Sequence, residues 1–398
     1  MILRPLAALA LAQLLTVPAF GQASPRAAQP AAREAIETAT KLAKWQLARI
    51  ADATHVSRIT TETRNPRAWE QAVFWIGMTA LADAGADAGA DAGADAGADA
   101  GKRREIRQAI LDMGRANQWL PARRPFHADD LVITQSYLWA AQHGAGAAAL
   151  APTRKAFDYV VTHKPRVTLA FYQPPSGYDD TECLTRWCWC DALFMAPPAM
   201  IELSRQTGDR RFRDYAMQEY WATTDFLFDP AEHLFYRDSR FFGRRDDKNR
   251  KQFWSRGNGW VFASMPRIIP LLAPGSADRI RMEKLFREMA AKLKTLQKAD
   301  GYWAPSLLAP EDSPPESSGT GFYTYGMAWG IKAGLLDRRE YEPVVRRGWT
   351  ALTRAIQPDG RLGWVQQVSD QPERVEASDT QFYGVGAFLL AATAVAAL

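Results

Sequence analysis

Cysteine is scarce in this chain: three occur in 398 residues, Cys183, Cys188 and Cys190, all within one stretch of eight. They allow one disulfide with one thiol left over. They form no C-x-x-C pair and have no neighbouring His, so the sequence lacks a zinc site of ordinary ligand spacing. Lys and Arg form no dense run and the formal net charge is only +5. A nucleic-acid-binding face is therefore not expected, although a mild positive balance suits an acidic substrate. No apolar run is long enough to span a bilayer, which argues against a membrane anchor. No Pro/Ser/Gly-rich linker divides the chain, and strand-type alternation is rare and short.

Export signals and helices are present instead. Arg4, an apolar stretch from Leu6 to Pro18 and the small-residue site Gly21-Gln22-Ala23 read as a signal peptide over residues 1–23. The remaining residues, 24–398, are expected to form one domain exported to the periplasm or the outside. Amphipathic helical periodicity recurs at about twelve places: 31–54, 66–82, 102–119, 130–148, 153–165, 190–206, 210–228, 258–272, 278–298, 320–336, 339–356 and 380–397. Connections leaving even-numbered helices are short, and those leaving odd-numbered ones are long. Six hairpins alternating in this way predict an all-α double ring, six outer helices around six inner ones, with the long loops gathered where the inner helices begin. Long loops in compact domains usually carry function. One short connection is interrupted by an Asp-Ala-Gly-Ala repeat over residues 82–101, which reads as a disordered or frayed insertion. Its regular Asp residues lack the carbonyl and Glu ligands of a calcium loop.

Four long-loop motifs converge on the starts of even helices. The first is Trp187-Cys188-Trp189-Cys190-Asp191-Ala192-Leu193-Phe194-Met195. Asp191 could simply cap the helix. Between indoles and apolar neighbours, however, its carboxyl would hold a proton near neutrality and could act as a general acid. The second, His127-Ala128-Asp129-Asp130, offers a further carboxyl for capping, for sugar binding or for tuning Asp191. The third, Trp254-Ser255-Arg256-Gly257-Asn258-Gly259-Trp260, combines close-approach glycines with a planar fork suited to a carboxylate. The fourth, Glu316-Ser317-Ser318-Gly319-Thr320-Gly321, sets small hydroxyls at a helix start, where they can cap it or hydrogen-bond an anion or sugar. Many of the fourteen Trp belong to the core, but loop indoles also suit the apolar face of a pyranose.

Taken together these stretches resemble the unsaturated glucuronyl and rhamnogalacturonyl hydrolases of glycoside hydrolase families 88 and 105, from about Trp45 to the C-terminus. The most specific pieces are W-C-D-A-L-F-M, W-S-R-G-N-G-W and E-S-S-G-T-G-F. The resemblance implies an (α/α)₆ barrel and an oligosaccharide substrate left by a polysaccharide lyase, with a 4,5-unsaturated uronic acid at its non-reducing end. It implies hydration of the C4=C5 vinyl ether, with no metal and no organic cofactor. Asp191 matches the family's proton donor and Asp129 its second carboxyl, with Asp130 adjacent. Arg256 and Trp260 match residues that contact the unsaturated sugar, and Trp189, Asp130, Ser318 and Thr320 are further candidates for substrate binding. One position departs from the pattern. Leu234-Phe235-Tyr236 is followed by Arg237 where many members carry a His, and His233 has no match. Arg237 thus joins the candidate binding residues, and the sugar preference stays open between glucuronyl and galacturonyl. An ordinary glycosidase or an epimerase on the same barrel, or a non-catalytic glycan binder, are the rival readings. Nothing in the sequence specifies an oligomeric state.

Overall fold

The computed structural model describes residues 25–56, 65–84, 95–311 and 313–398, with side chains of 25–30 and 95–100 left aside. The signal-peptide-like residues 1–23 lie outside this range, as does the middle of the Asp-Ala-Gly-Ala repeat. The expectation of a frayed insertion over 82–101 falls, in its middle part, outside the described residues. One helix runs on to Asp83 and the next begins at Asp95, so the repeat's C-terminal part is helical.

Six inner helical segments form a closed ring. They are α2 (Trp69–Asp83), α4 with α5 (Ala128–Leu131, Thr134–Ala140), α7 with α8 (Ala192–Met195, Pro197–Thr207), α10 (Ser255–Ile268), α12 (Ser317–Lys332) and α14 (Phe382–Ala396). Each packs on the next, and α14 returns to α2. Outside them lie α1 (Pro25–Leu47), α3 (Asp95–Ala116), α6 (Ala147–Thr162), α9 (Arg210–Leu227), α11 (Ala277–Thr295) and α13 (Arg338–Arg354). This is the (α/α)₆ architecture expected from the hairpin pattern. A two-residue antiparallel pair, β1 (Phe228–Asp229) with β2 (Leu234–Phe235), forms the only named sheet among the described residues.

Sequence explains the layering. Inner helices such as α14 and α12 are buried almost all round, as a helix apolar on every face must be. Outer helices such as α13 bury one stripe and expose their Arg and Glu residues. At the α2–α14 seam the backbones touch: a Cβ on Gly77 would stand 2.8 Å from the Gly386 carbonyl oxygen, and one on Gly386 would stand 2.3 Å from that of Val73. Only glycine fits there.

Two predicted helices are broken. The fourth stops at Ala140 in a wide turn, because His143 and Gly144 leave helical geometry, Gly144 with φ 112°. The sixth is interrupted before Pro197 and Pro198, which cannot donate to the carbonyls four residues earlier. The Gln135 amide on α5 takes up the freed Phe194 carbonyl at 2.8 Å and that of Met195 at 3.0 Å.

The long loops are stitched to one another around one end of the ring. Arg124 pairs with Asp179, the Phe171 amide donates to Ser239 Oγ at 2.8 Å, Arg240 reaches Asp370 at 2.7 Å and Trp254 Nε1 donates to Gln366 Oε1 at 3.0 Å. The Ser317 amide donates to the Trp364 carbonyl at 2.8 Å. The four long-loop motifs lie at that end.

Candidate active site

Asp191 is fixed by the segment that precedes it. Cys183 and Cys188 are joined by a disulfide, while Cys190 is a buried free thiol. Between the bridged pair, Trp187 adopts a left-handed φ of 59°. It is held by its indole N–H on the Phe126 carbonyl at 3.1 Å and by Thr223 Oγ1 on its own carbonyl at 2.8 Å. The Cys190 amide then donates to the Arg237 carbonyl at 2.9 Å. Asp191 follows in helical geometry and its side chain makes no capping bond. The carboxyl is therefore not used as an N-cap.

The carboxyl instead faces a set of charged groups. It is 8% exposed. Oδ2 accepts the Cys190 thiol at 3.4 Å and lies 3.8 Å from Arg237 Nε. Burial raises the Asp191 pKa, and the charges of Arg237 and Arg256 offset part of that rise. Asp129, half-buried at the start of α4, is pushed up to about 8, first by desolvation and further by the charges of Asp191 and Asp130, against the pull of Arg124. Two protonatable carboxyls thus act on one another across the site.

Arg237, which stands where the resemblance predicts a His, lies beside Asp191. It is buried, with Nη1 on Asp238 Oδ2 at 2.8 Å and Nη2 on the Tyr178 hydroxyl at 3.0 Å. Its Nε–H has no hydrogen-bond partner, and neither has Asp129 Oδ1, His127 Nε2 or Arg256 Nε. Unpaired buried polar atoms are costly. Four of them fall within this group of residues.

Other sequence-predicted residues turn out to serve the protein. Asp130 was expected to bind substrate, but both of its oxygens hold Arg124: Oδ1 takes Nη2 at 2.6 Å and Oδ2 takes the main-chain amide at 2.7 Å. Arg256 was expected to clamp a carboxylate. It is 0% exposed, and its terminal nitrogens donate to the Gln366 and Gln367 carbonyls at 2.7 and 2.9 Å, with the guanidinium between the Trp254 and Tyr383 rings. Its charge still reaches Asp191. Trp260, expected to stack on sugar, is 1% exposed and packed among Phe194, Phe322 and Trp69. Trp189 is equally buried, its ring 4.8 Å from that of His127. Ser318 and Thr320 are fully buried: Ser318 Oγ donates to Glu316 Oε1 at 2.6 Å and Thr320 Oγ1 to the Glu316 carbonyl at 2.7 Å. The helix start they form is occupied by Glu316, whose carboxylate accepts the Ser318 and Gly319 amides at 2.9 and 2.7 Å. An internal anion takes the place foreseen for a ligand.

Several participants have no local sequence signature. Tyr178 orients Arg237, and Gln366 and Gln367 supply the carbonyls that hold Arg256. His127, not Asp129 or Asp130, caps α4, its Nδ1 accepting the Asp129 amide at 3.3 Å. Burial and the charges of Arg124 and Arg237 keep that imidazole neutral, so its proton sits on the unpartnered Nε2. A small cavity is lined by Asn65, Trp69, Arg123, Arg124, Asp130 and Asp179. Among the described residues no cluster of three His, Cys, Asp or Glu side chains is placed to hold a metal ion, and no helix is long and apolar enough to cross a membrane.

The profile of Glycosyl Hydrolase Family 88 matches residues 38–398. The chain belongs to that family. It is 38% identical over 358 residues to an unsaturated 3S-rhamnoglycuronyl hydrolase of Alteromonas sp. (strain LOR), covering 88% of this chain and 83% of the relative. A protein of the same name from Formosa agariphila is 38% identical over 288 residues, 70% of this chain and 75% of its own length. The solved structure of a glycosyl hydrolase family 88 protein from Bacteroides vulgatus superposes with a TM-score of 0.75 at 25% identity, covering 92% of this chain and 99% of that one. The chain is a glycoside hydrolase on a helical barrel, as the four motifs implied.

Proposed function

We propose that this glycoside hydrolase removes a 4,5-unsaturated uronic acid from the non-reducing end of lyase-generated oligosaccharides, with rhamnose as the next sugar. The family and the names of the two relatives support the substrate class. One observation carries the chemistry: Asp191 is a buried carboxyl, released from capping, whose pKa is raised by desolvation beside an arginine with an unpaired N–H.

In this reading protonated Asp191 gives its proton to C4 of the vinyl ether. The C4=C5 electron pair forms the new C4–H bond, and positive charge develops at C5 and the ring oxygen. Water adds at C5 and returns a proton to the carboxylate. The resulting C5 hemiketal opens to a ketone, and the aglycone leaves from C1. Asp129 orients Asp191 or the attacking water, and Arg237 Nε–H meets the uronate. The residue at 237 favours a charged group over an esterified one, because a guanidinium binds carboxylate best as a charged fork. A disulfide at Cys183–Cys188 and the N-terminal sequence together support export, since such bonds persist in oxidising compartments.

Incubation with lyase products of rhamnose-containing uronans tests the reading. Loss of the vinyl-ether ultraviolet absorbance with release of a shortened, saturated-end sugar is expected. Release without loss of that absorbance would point to anomeric hydrolysis, and binding without either change to a glycan receptor; both would overturn the proposal.

A further inference from the structure

Cys190 is a buried group that the chemistry above does not use, and its surroundings are specific. Its amide is bonded to the Arg237 carbonyl at 2.9 Å, while its thiol lies 3.4 Å from Asp191 Oδ2. That same oxygen is the one 3.8 Å from Arg237 Nε. Sγ is also seated under the first turn of α10, where a Cβ on Gly257 would approach it to 3.1 Å. The thiol is thus held on both sides and aimed at one oxygen. Burial and the neighbouring Asp191 charge push its pKa far up, so it remains S–H and can only donate to the carboxylate.

We infer that Cys190 is a positioning residue that anchors Asp191 through Oδ2, together with Arg237, so that the proton transferred to substrate is carried on Oδ1. This rests on the assignment of Asp191 as proton donor in the preceding subsection. A thiol donor stabilises the ionised carboxyl, so it makes the protonated form a stronger acid. It does so without adding a charge to a site that must also accept a uronate. It also favours one of the two carboxyl oxygens, which an arginine alone would not do as strictly.

Two measurements test this. In Cys190→Ala the lost donor raises the pKa of Asp191. The alkaline limb of kcat/KM should then move to higher pH by roughly half a unit or more, with kcat falling and KM little changed. Cys190→Ser keeps a donor and should hold the limb at or below the wild-type position. A residue that merely filled space would leave the limb in place in both variants, and that result, or a serine limb displaced like that of alanine, overturns the inference.

The second measurement needs neither turnover nor a cysteine variant. With Cys183 and Cys188 bonded to each other, Cys190 carries the one S–H of the protein. Its infrared stretching band should lie at the low frequency of a thiol bonded to a carboxyl oxygen and should rise in Asp191→Asn. A band at the free-thiol frequency in the wild-type protein, unmoved by Asp191→Asn, overturns the inference even if the alanine variant does not fold. Wild-type turnover of the unsaturated substrate with no shift in either measurement would sink this inference alone; a shifted band in an enzyme that turns over no unsaturated substrate would sink the functional reading instead.

Discussion

Arg237 Nε stands 3.8 Å from Asp191 Oδ2, close enough to stabilise the carboxylate but too far for a hydrogen bond. The other guanidinium nitrogens are committed to Asp238 and Tyr178. The arginine is therefore held as a fixed charge beside the acid, and its free N–H is presented to whatever enters. A neutral imidazole at this position would supply a donor without the charge.

Replacing Arg237 with His should raise the Asp191 pKa because a favourable charge is removed from beside the carboxylate. The alkaline limb of kcat/KM should move upward. KM for a free uronate should rise more than KM for its methyl ester. Equal effects on both substrates would show that the guanidinium does not meet the carboxylate.

Asp191→Asn removes the transferable proton and little else, since the side chain makes no capping bond. We expect kcat to fall by about 10²–10⁴-fold, the usual worth of a positioned general acid. The melting temperature should stay at or slightly above the wild-type value, because a buried carboxyl becomes a neutral amide. A calorimetric scan beside a progress curve checks both halves.

Asp129 titrates near 8 in the folded protein and near 3.9 in an unfolded chain. Its contribution to stability is complete below the unfolded value and declines as pH rises, being lost once pH passes the folded value. Asp129→Asn should therefore leave thermal stability unchanged near pH 4 and raise it at pH 9, by roughly 2 °C or more. Melting curves at the two pH values decide it. An equal shift at both would mean that the carboxyl is not held protonated.

Arg256 distinguishes a binding residue from one that organises a loop. If it clamped substrate, Arg256→Ala would raise KM for the carboxylate sugar and leave stability alone. Its donors instead hold the Gln366 and Gln367 carbonyls, and charged hydrogen bonds of this kind are worth about 1.5–3 kcal/mol each. We expect a loss of at least ~2 kcal/mol in denaturant unfolding and a fall in kcat on charged and esterified substrates alike. Proteolysis within residues 364–371 should quicken.

The double ring was legible in the sequence because its cause is local: hydrophobic periodicity and the alternation of short and long connections. The burial of Asp191 was legible for a similar reason, since its aromatic and apolar neighbours are adjacent in the chain. What was not legible depends on partners far away in sequence. Arg256 looks like a carboxylate fork in its own heptapeptide, and only the fold brings the carbonyls of residues 366 and 367 to it. Ser318 and Thr320 look like an anion platform, yet Glu316 at the start of the same motif fills it first. Asp129 and Asp130 are adjacent carboxyls with opposite employment, one leaving an oxygen unpaired and the other surrendering both to Arg124. Trp260 and Trp189 share the composition of sugar-stacking loops, but Trp260 sits on α10 and Trp189 in the bend before α7, and both are buried.

The glycine seam between α2 and α14 joins the beginning of the described chain to its end. Until residues near Gly386 are made, α2 has no neighbour on that side, and the wall behind Trp69 and Trp260 is missing. A ribosome-bound fragment short of that point can assemble hairpins but cannot shut the circle. The pocket end of the ring can then take its shape only once α14 has docked against α2.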